Sequence, residues 1–583
     1  MAFLNFTSKY DKEPKTKIHG HKAFHGYDAI AEELKTKING DTVLTFDYYI
    51  GVREDEVKTL VNALNPDTVI ETIEIFKDGK DLTEQMKYHL TDDRVFGKMY
   101  YGDMIDFIDL DRLAAAKEKV ANAKGLTIIC GIGASLVSEG DVNVYFDLAR
   151  WEATLRLRKS ANYKCDNADE DNLRKYKRAF FIEWRIADKH KRTLMDRIDY
   201  VLDTNKKDDP KMITGDIFRS ALRQASVRPF RTTPYFDPGV WGGQWMKEVC
   251  QLDKDEKNFA WSFDGVPEEN SLLLDVCGNV IEIPSIDVVF YQPRQLLGEK
   301  VFARFGAEFP IRFDFLDTIG GQHLSLQVHP LVEYAKKQFG LTYTQDESYY
   351  ILDATEDATV YLGLKEGINP DEMIDDLRKA QKGGYRFPDE KYINCFPAKK
   401  HDHFLIPAGT CHCSGSGAMV LEISATPYIF TFKLWDWDRL GLDGRPRPVH
   451  VEHGKEVIQW DRTTKWVEEN LVNAFYDVEE EGCGASRIEH TGLHELEFIE
   501  TRRYTTTTKT YHKTNNCVNQ LNLIDGKEAV VESPTGEFEP FVVHYAETFV
   551  IPASVSEYTI APYGDSEGEE IMFIKAYVRG SEM

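Results

Sequence analysis

Leu324-Ser325-Leu326-Gln327-Val328-His329-Pro330 is the stretch that decides how the rest of the chain is read. In an extended strand Ser325, Gln327 and His329 share one face while Leu324, Leu326 and Val328 share the other, which predicts one chemical face and one apolar face. Two later stretches carry side chains of matching chemistry: Asp346-Glu347-Ser348-Tyr349-Tyr350-Ile351-Leu352 and Ile406-Pro407-Ala408-Gly409-Thr410-Cys411-His412. Zinc is held by imidazole nitrogen and carboxylate oxygen, and a catalytic site keeps room for water or substrate. Gln327, His329, Glu347 and His412 are therefore the candidate ligands of a divalent metal. The Gln-x-His pair comes from one strand, Glu347 from a neighbouring strand, and His412 follows a Pro-x-Gly turn that aims it inward. Cys411 and Cys413 flank His412 but point the opposite way in a strand, so they read as buried thiols. His401 and His403, in a Lys-Lys-His-Asp-His loop, read as solvated. Glu422 reads either as a barrel-facing group or as a structural hydrogen-bonder, and His450 and His453, three apart on a helix, read as structural.

Working outward, the surrounding chain is a series of short β-runs between turn signals, at 281–283, 288–291, 309–315, 349–352, 359–364, 404–406, 418–424 and 429–434. One short helix, 371–381, follows an Asn369-Pro370 start. Many short strands with little helix predict a closed barrel or jelly roll. A helical stretch over 450–474 follows, and β-runs from about 496 to 578 predict a second, smaller jelly-roll unit. Upstream, Pro229, Pro234, Pro238 and the run Gly239-Val240-Trp241-Gly242-Gly243 mark a boundary. The expected division is 1–228, 229–490 and 491–583.

From Gly26 to Arg228 the pattern alternates helices with buried strands: helix around 29–34, strand 42–47, helix 110–123, strands 126–131 and 142–147, then a charged helix with Arg150, Arg156 and Arg158. Such alternation predicts βαβ units and a mainly parallel sheet. A strand running into Cys130-Gly131-Ile132-Gly133-Ala134, then one ending Phe146-Asp147, then an Arg-bearing helix, is similar in order to the later half of the uridine kinase and phosphoribulokinase group. The segment 181–191 sits where that group has helical and lid material. A Gly-x-x-x-x-Gly-Lys-Ser/Thr loop, the Walker A element that would hold nucleotide phosphates, does not occur in the sequence. Gly131 to Ser135 reads as a strand-to-loop turn and the three arginines as a solvated helix face. The expectation is an α/β kinase-like domain with the P-loop absent, kept for assembly or regulation.

Composition bounds the function classes. At 583 residues, 42% hydrophobic and 12% aromatic, the chain has material for several folded domains. A formal charge of −26 argues against nucleic acid or an anionic membrane as partner, because both require a basic footprint. Neither a signal-peptide core near the amino terminus nor an apolar run of membrane-span length is present, and nine scattered cysteines fit a reducing compartment. A cytoplasmic protein is expected.

The metal motifs resemble type I phosphomannose isomerase, a zinc-dependent cupin family that interconverts mannose 6-phosphate and fructose 6-phosphate. The matching pieces are Val240 to Gly243, Leu324 to Pro330, Glu347 to Ala354, Phe396 to Cys413, Leu-Trp-Asp-Trp-Asp-Arg at 434–439 and Arg-Pro-Arg-Pro-Val-His-Val-Glu at 445–452. They occur in the family's order over about 230–460. The resemblance implies β-rich cupin domains with a small helical part, Gln327, His329, Glu347 and His412 as zinc ligands, and a sugar-phosphate substrate. It also implies Ser325 and Trp241 as substrate contacts and Lys433, Arg439 and Arg312 as the catalytic cations. The chain departs from the family at Asp314, Gln345 and Lys433, where two lysines and an arginine are expected; a lysine-to-glutamine change removes a cation and a titratable group. Two readings follow. One is an aldose–ketose isomerase working through an enediolate, as a homo-oligomer or alone. The other is a metal-holding cupin that binds a sugar phosphate without turnover, as a sensor or regulatory subunit. Iron-dependent oxygen chemistry on two histidines and a carboxylate ranks below both, because Gln327 would fill a position that oxygen needs.

Overall fold

The computed structural model describes residues 3–20, 22–164, 171–425 and 430–580. It is multidomain and β-rich. Two compact units emerge, and neither is continuous in sequence. One gathers Lys15–Ala225 with Glu268–Gln292; the other gathers Met1–Pro14, Ser226–Pro267 and Pro293–Met583.

The first unit is built on a sheet in the order Ala23–His25, Lys211–Thr214, Tyr200–Asp203, Val142–Asp147, Thr42–Tyr48, Leu126–Gly131, Thr68–Glu71. The last five strands run parallel. Their middle residues are apolar on both faces, as parallel strands covered by helices require: Leu44, Phe46, Ile128 and Val144 are wholly buried. Helix Tyr27–Lys35 buries Ile30, Ala31 and Leu34 on one stripe. Helix Leu110–Asn122 starts at Asp109, whose side chain accepts from the amides of Asp111 and Arg112.

Gly131 ends its strand at φ 135°, and a Cβ there would meet Thr72 Oγ1 at 1.9 Å, so only glycine fits. The turn after it folds around Asp47. That carboxylate accepts from the amides of Gly133 (2.9 Å) and Ser135 (3.0 Å) and from Ser135 Oγ (2.7 Å), and faces His190 Nε2 at 2.9 Å. The turn's donors are thus committed to an internal carboxylate.

The expected solvated face of Arg150 and Arg156 is a buried one. Arg150 is 5% exposed, with Nη2 on Asp188 (2.8 Å) and on Tyr49 Oη (3.0 Å). Arg156 bonds Glu152 (2.7 Å) and the carbonyls of Gly51, Thr204 and Asn205. A guanidinium is tolerated inside when a carboxylate pairs its charge, as Asp188 does for Arg150 and Glu152 for Arg156. Arg158 lies over the Trp151 ring.

Residues 288–291, expected as a strand, form helix Ile286–Tyr291; a short apolar run does not distinguish the two by period. This segment belongs to the first unit for two reasons. Strand Ser271–Val276 pairs in parallel with Lys15–Ile18, and the buried Lys191 ammonium sits between Asp147 (2.7 Å) and Asp287 (2.6 Å).

The second unit holds two antiparallel sheets around one core. The first runs His403–Ile406, Glu347–Ala354, Ala418–Ser424, Arg312–Asp317, Trp261–Gly265, Tyr235–Asp237; the second runs Ile393–Pro397, Thr359–Leu364, His412–Ser414, Leu326–Val328, Phe432–Trp435. Tyr349, Ile351 and Val420 from one sheet pack with Val360, Leu362 and Cys413 from the other. The strand expected over 429–434 is Phe432–Trp435; Ile429 lies outside the described residues. The helical stretch 450–474 is two short helices, Val451–Val457 and Thr464–Asn470. Further along, two more sheets enclose a separate core with Tyr504, Leu521, Phe549, Ile560 and Phe573. The boundary expected between 490 and 491 falls inside strand Arg487–Gly492. No helix of the described residues is long and apolar enough to cross a membrane.

Candidate metal centre

Register places the site. Gln327 lies opposite His412 on one side and Lys433 on the other, and directly paired residues share a face. In the other sheet Arg312, Ser424 and Glu347 form one transverse row, and Asp314, Glu422 and Tyr349 the next. The two faces meet at Glu347.

There, His412 Nε2 lies 2.8 Å from Glu347 Oε1 and His329 Nε2 lies 3.1 Å from Oε2, with all three side chains fully buried. The approach is close but not hydrogen-bonded in geometry. His329 Nε2 and Glu347 Oε1 have no hydrogen-bond partner among the described residues, an expensive condition for buried polar atoms. Each imidazole is held from behind, His329 through Nδ1 and the Phe430 carbonyl (3.0 Å) and His412 through Nδ1 and the Thr410 carbonyl (2.8 Å). A carbonyl accepts a proton from Nδ1 and leaves the Nε2 lone pair facing the centre, the arrangement that orients metal-ligating histidines. His329, Glu347 and His412 can thus offer atoms to one ion.

Gln327 stands at the rim of this trio. Its Nε2 is 3.2 Å from His412 Nε2, and its Oε1 accepts from Ser325 Oγ at 3.3 Å. Turning the carboxamide over would present the oxygen to the imidazoles. The donor set of two imidazoles, one carboxylate and one amide oxygen fits zinc chemically.

The electrostatics are dominated by burial. Burial works to raise Glu347, yet His329 and His412 hold it well below the usual carboxylate range. Burial likewise works to lower His329, and Glu347 reverses this. His412 is pushed down by burial despite the carboxylate. Gln345, where the resemblance expects a lysine, donates Nε2 to Glu347 (2.7 Å) and accepts from the Phe430 amide (2.7 Å). Asp314, pushed by burial up to about 6, accepts from Arg312 Nε at 3.2 Å, and Glu422 is pushed far above the carboxylate range by burial and by Asp314. Arg312 is buried with its guanidinium over the Phe263 ring.

Lys433 is half-buried, and burial lowers its ammonium to about 7, helped by Arg447 and Arg439. Arg439 and Arg447 both reach Asp436, at 2.5 and 2.6 Å, and Arg439 also donates to the His323 carbonyl (2.7 Å). Trp241 lies apart from the polar rows, in the apolar core, edge-on to Trp261 with ring centroids 4.6 Å apart. His403, expected in a solvated loop, is fully buried on a strand opposite Tyr350 with Nε2 on Ser348 Oγ (2.8 Å), and burial drives it down to about 3. Sequence reading did not single out Tyr349, Asp436 or Arg447. Tyr349 carries a usable signal, the two-residue spacing from Glu347 that puts both on one face.

Over 235 residues the chain is 25% identical to mannose-6-phosphate isomerase ManA of Bacillus subtilis strain 168, covering 40% of this chain and 69% of the relative. The relatives are mannose-6-phosphate isomerases. That of Streptococcus mutans is 26% identical over 221 residues, 38% of this chain and 64% of the relative. The chain therefore spans about two thirds of the length of these isomerases. Among solved structures, a mannose 6-phosphate isomerase from Bacillus subtilis aligns with 60% of this chain and 100% of its own, at 18% identity and TM-score 0.48. A zinc-bound mannose 6-phosphate isomerase aligns over the same shares at 14% identity and TM-score 0.46. Residues 26–227 match a domain of unknown function, DUF8485.

Proposed function

We propose that the second unit is a zinc-dependent cupin that isomerises a phosphorylated sugar between aldose and ketose, with mannose 6-phosphate as first substrate to test. The observation that carries this reading is the meeting of His329, Glu347 and His412, whose buried atoms converge and are oriented from behind without hydrogen-bonding one another. Homology to mannose-6-phosphate isomerases over about 40% of the chain supports it. His329, Glu347, His412 and Gln327 would hold the ion, which when bound supplies a Lewis acid for the sugar's oxygens.

The chain's own residues then have distinct tasks. The isomerisation removes a proton at C2 and returns it at C1. Lys433, opposite Gln327 and lowered to about 7, is neutral enough near that pH to serve as the base. Arg439 and Arg447 share the single carboxylate of Asp436, and with Ser325 they offer a sugar phosphate a local positive patch in a chain of net charge −26. Glu422, pushed far above the carboxylate range by burial and by Asp314, can stay protonated and donate to a sugar oxygen.

A second reading has its own observation. Asp314 is tied to Arg312 and Gln345 to Glu347 where lysines would stand, which favours a sugar-phosphate sensor without turnover. A coupled assay on the zinc-loaded protein with mannose 6-phosphate, beside calorimetry of the same ligand, separates them. Turnover lost in His412→Ala together with zinc supports the isomerase; binding without turnover supports the sensor; normal zinc content in His412→Ala refutes both. For the first unit we infer a kinase-like scaffold without nucleotide chemistry, supported by its parallel sheet and by the engagement of its glycine turn with Asp47. The strongly negative net charge of −26 supports a protein without nucleic-acid or anionic-membrane partners, the scattered cysteines support a cytoplasmic one, and self-association is open to direct measurement.

A further inference from the structure

The terminal β-region carries a second cluster of metal-binding chemistry, far along the chain from His412. Glu480 and Cys483 are brought together by a turn in which the Cys483 amide donates to the Glu480 carbonyl at 3.1 Å. That turn is tied to strand Thr510–Lys513 by the Tyr511 amide, which donates to the Cys483 carbonyl at 2.8 Å. His512, the next residue, thereby joins the pair. Ligand atoms of Glu480, Cys483 and His512 all lie within 4.8 Å of one another. All three residues line one cavity of about 600 Å³.

The histidine is the decisive member. His512 is 3% exposed, and its ring is fixed by stacking on Tyr558 and by the edge of Tyr504. Its Nε2 pairs with Thr510 Oγ1 at 2.8 Å, while Nδ1 has no hydrogen-bond partner among the described residues. A buried imidazole nitrogen left so is costly unless something binds it. Burial and the nearby Lys575 keep the ring in the neutral form in which imidazole ligates. Glu480 is likewise oriented: Oε1 receives Arg502 (2.6 Å) and Tyr504 Oη (2.5 Å), while Oε2 faces the Lys575 ammonium at 3.8 Å. This outer pairing fixes the carboxylate as partners of metal ligands commonly do.

We propose that Glu480, Cys483 and His512 form a second transition-metal site, of the zinc class. One thiolate, one imidazole and one carboxylate select zinc-like ions over calcium or magnesium, which take oxygen alone. On binding, the Cys483 S–H bond breaks, sulfur bonds the ion and the proton goes to solvent, so affinity rises with pH. Three protein donors leave a fourth tetrahedral position for water or a small ligand from the cavity. The site stands independently of the isomerase reading, since it uses other residues and another donor type.

The test uses the full chain. Cobalt(II) replaces zinc, and only a thiolate ligand gives an intense near-ultraviolet charge-transfer band; the His329, Glu347, His412 cluster has no sulfur among its donors. The unaltered protein is expected to show the band and to retain two zinc ions per chain after dialysis. His412→Ala should keep the band and lose one zinc, while Cys483→Ser and His512→Gln should lose the band and keep the other zinc. Absence of the band in the unaltered, folded protein overturns the proposal without any variant. So does a band that persists undiminished in Cys483→Ser. A protein that holds one zinc, lost in His412→Ala and kept in Cys483→Ser, overturns the second site and leaves the first standing.

Discussion

Replacing Glu347 by glutamine keeps the shape of the side chain and removes the one charge that two buried imidazoles share, at 2.8 and 3.1 Å. If these three residues hold zinc, the loss must appear as a loss of metal-linked stability. With free zinc at about one hundred times the parent's dissociation constant, binding to the folded state alone adds about 2.7 kcal/mol. A drop in affinity of about 100-fold is already reached by losing a partner outside the ligand set, so it is a lower bound for losing an anionic ligand. At that bound the variant is half-saturated under the same zinc and gains only about 0.4 kcal/mol. The difference of about 2.3 kcal/mol corresponds to roughly 3 °C in melting temperature for a unit of this size. Melting curves with zinc and with chelator, both in a Cys483→Ser background so that only the nitrogen and oxygen site counts, give the difference directly. Because each protein is compared with itself, any cost of the substitution to the metal-stripped fold cancels. Equal zinc-induced shifts in the two proteins would refute the ligand assignment, and no shift in either would refute the metal site.

Other residues give further tests. Lys433 is charged below about pH 7 and neutral above it, so isomerase activity should fall on the acid side of that value; Lys433→Met should abolish this limb and lower kcat by about 10²–10⁴-fold, and an unchanged pH profile would exclude it as the base. In the first unit, burial works to lower His190 and the Asp47 carboxylate outweighs it, leaving the imidazole above its ordinary value. Its contribution is complete below about pH 6.5 and lost as pH rises through the raised value; urea titrations should show this decline in the parent and a flat response in Asp47→Asn. Gly131→Ala should destabilise the first unit by about 1–3 kcal/mol from backbone strain alone, since the Thr72 hydroxyl also occupies the new methyl's place; a melting temperature equal to the parent's would contradict the geometry.

Much of the β-architecture was legible because short alternating runs leave few options. The alternation at Leu324–Pro330 anticipates the strand Leu326–Val328, and the runs at 359–364 and 418–424 are strands over those residues. The run at 288–291 failed because four apolar residues carry no period, and its burial beside Lys191 and Asp147 is a tertiary fact. The same limit applies to charge. Arg150 and Arg156 sit on a helix that looks solvated by composition, and only the fold reveals the carboxylates and carbonyls that take them inside. Around the metal centre, residue types and spacings suggested which groups to examine. The two-residue spacings place Asp314 with Arg312 and Gln345 with Glu347, but not which rotamers pair them, and that Trp241 lies in the apolar core depends on which strands become neighbours.

The interleaving of the two units has a consequence for how the protein is made. Residues Lys15–Ala225 must wait for Glu268–Gln292 before their unit is whole, and Met1–Pro14 belong to a unit that also needs the strand Ile571–Val578, made much later. At about 5–20 residues per second, that second wait lasts roughly half a minute to two minutes. During it Tyr10, whose hydroxyl is destined for Asp264 at 2.5 Å, and Asp11, whose amide is destined for Glu547 at 2.7 Å, have no finished place to dock. Splitting the gene anywhere between Pro14 and Ile571 therefore separates parts of the second unit, and a split pair should regain that unit's stability only when the two pieces are produced together.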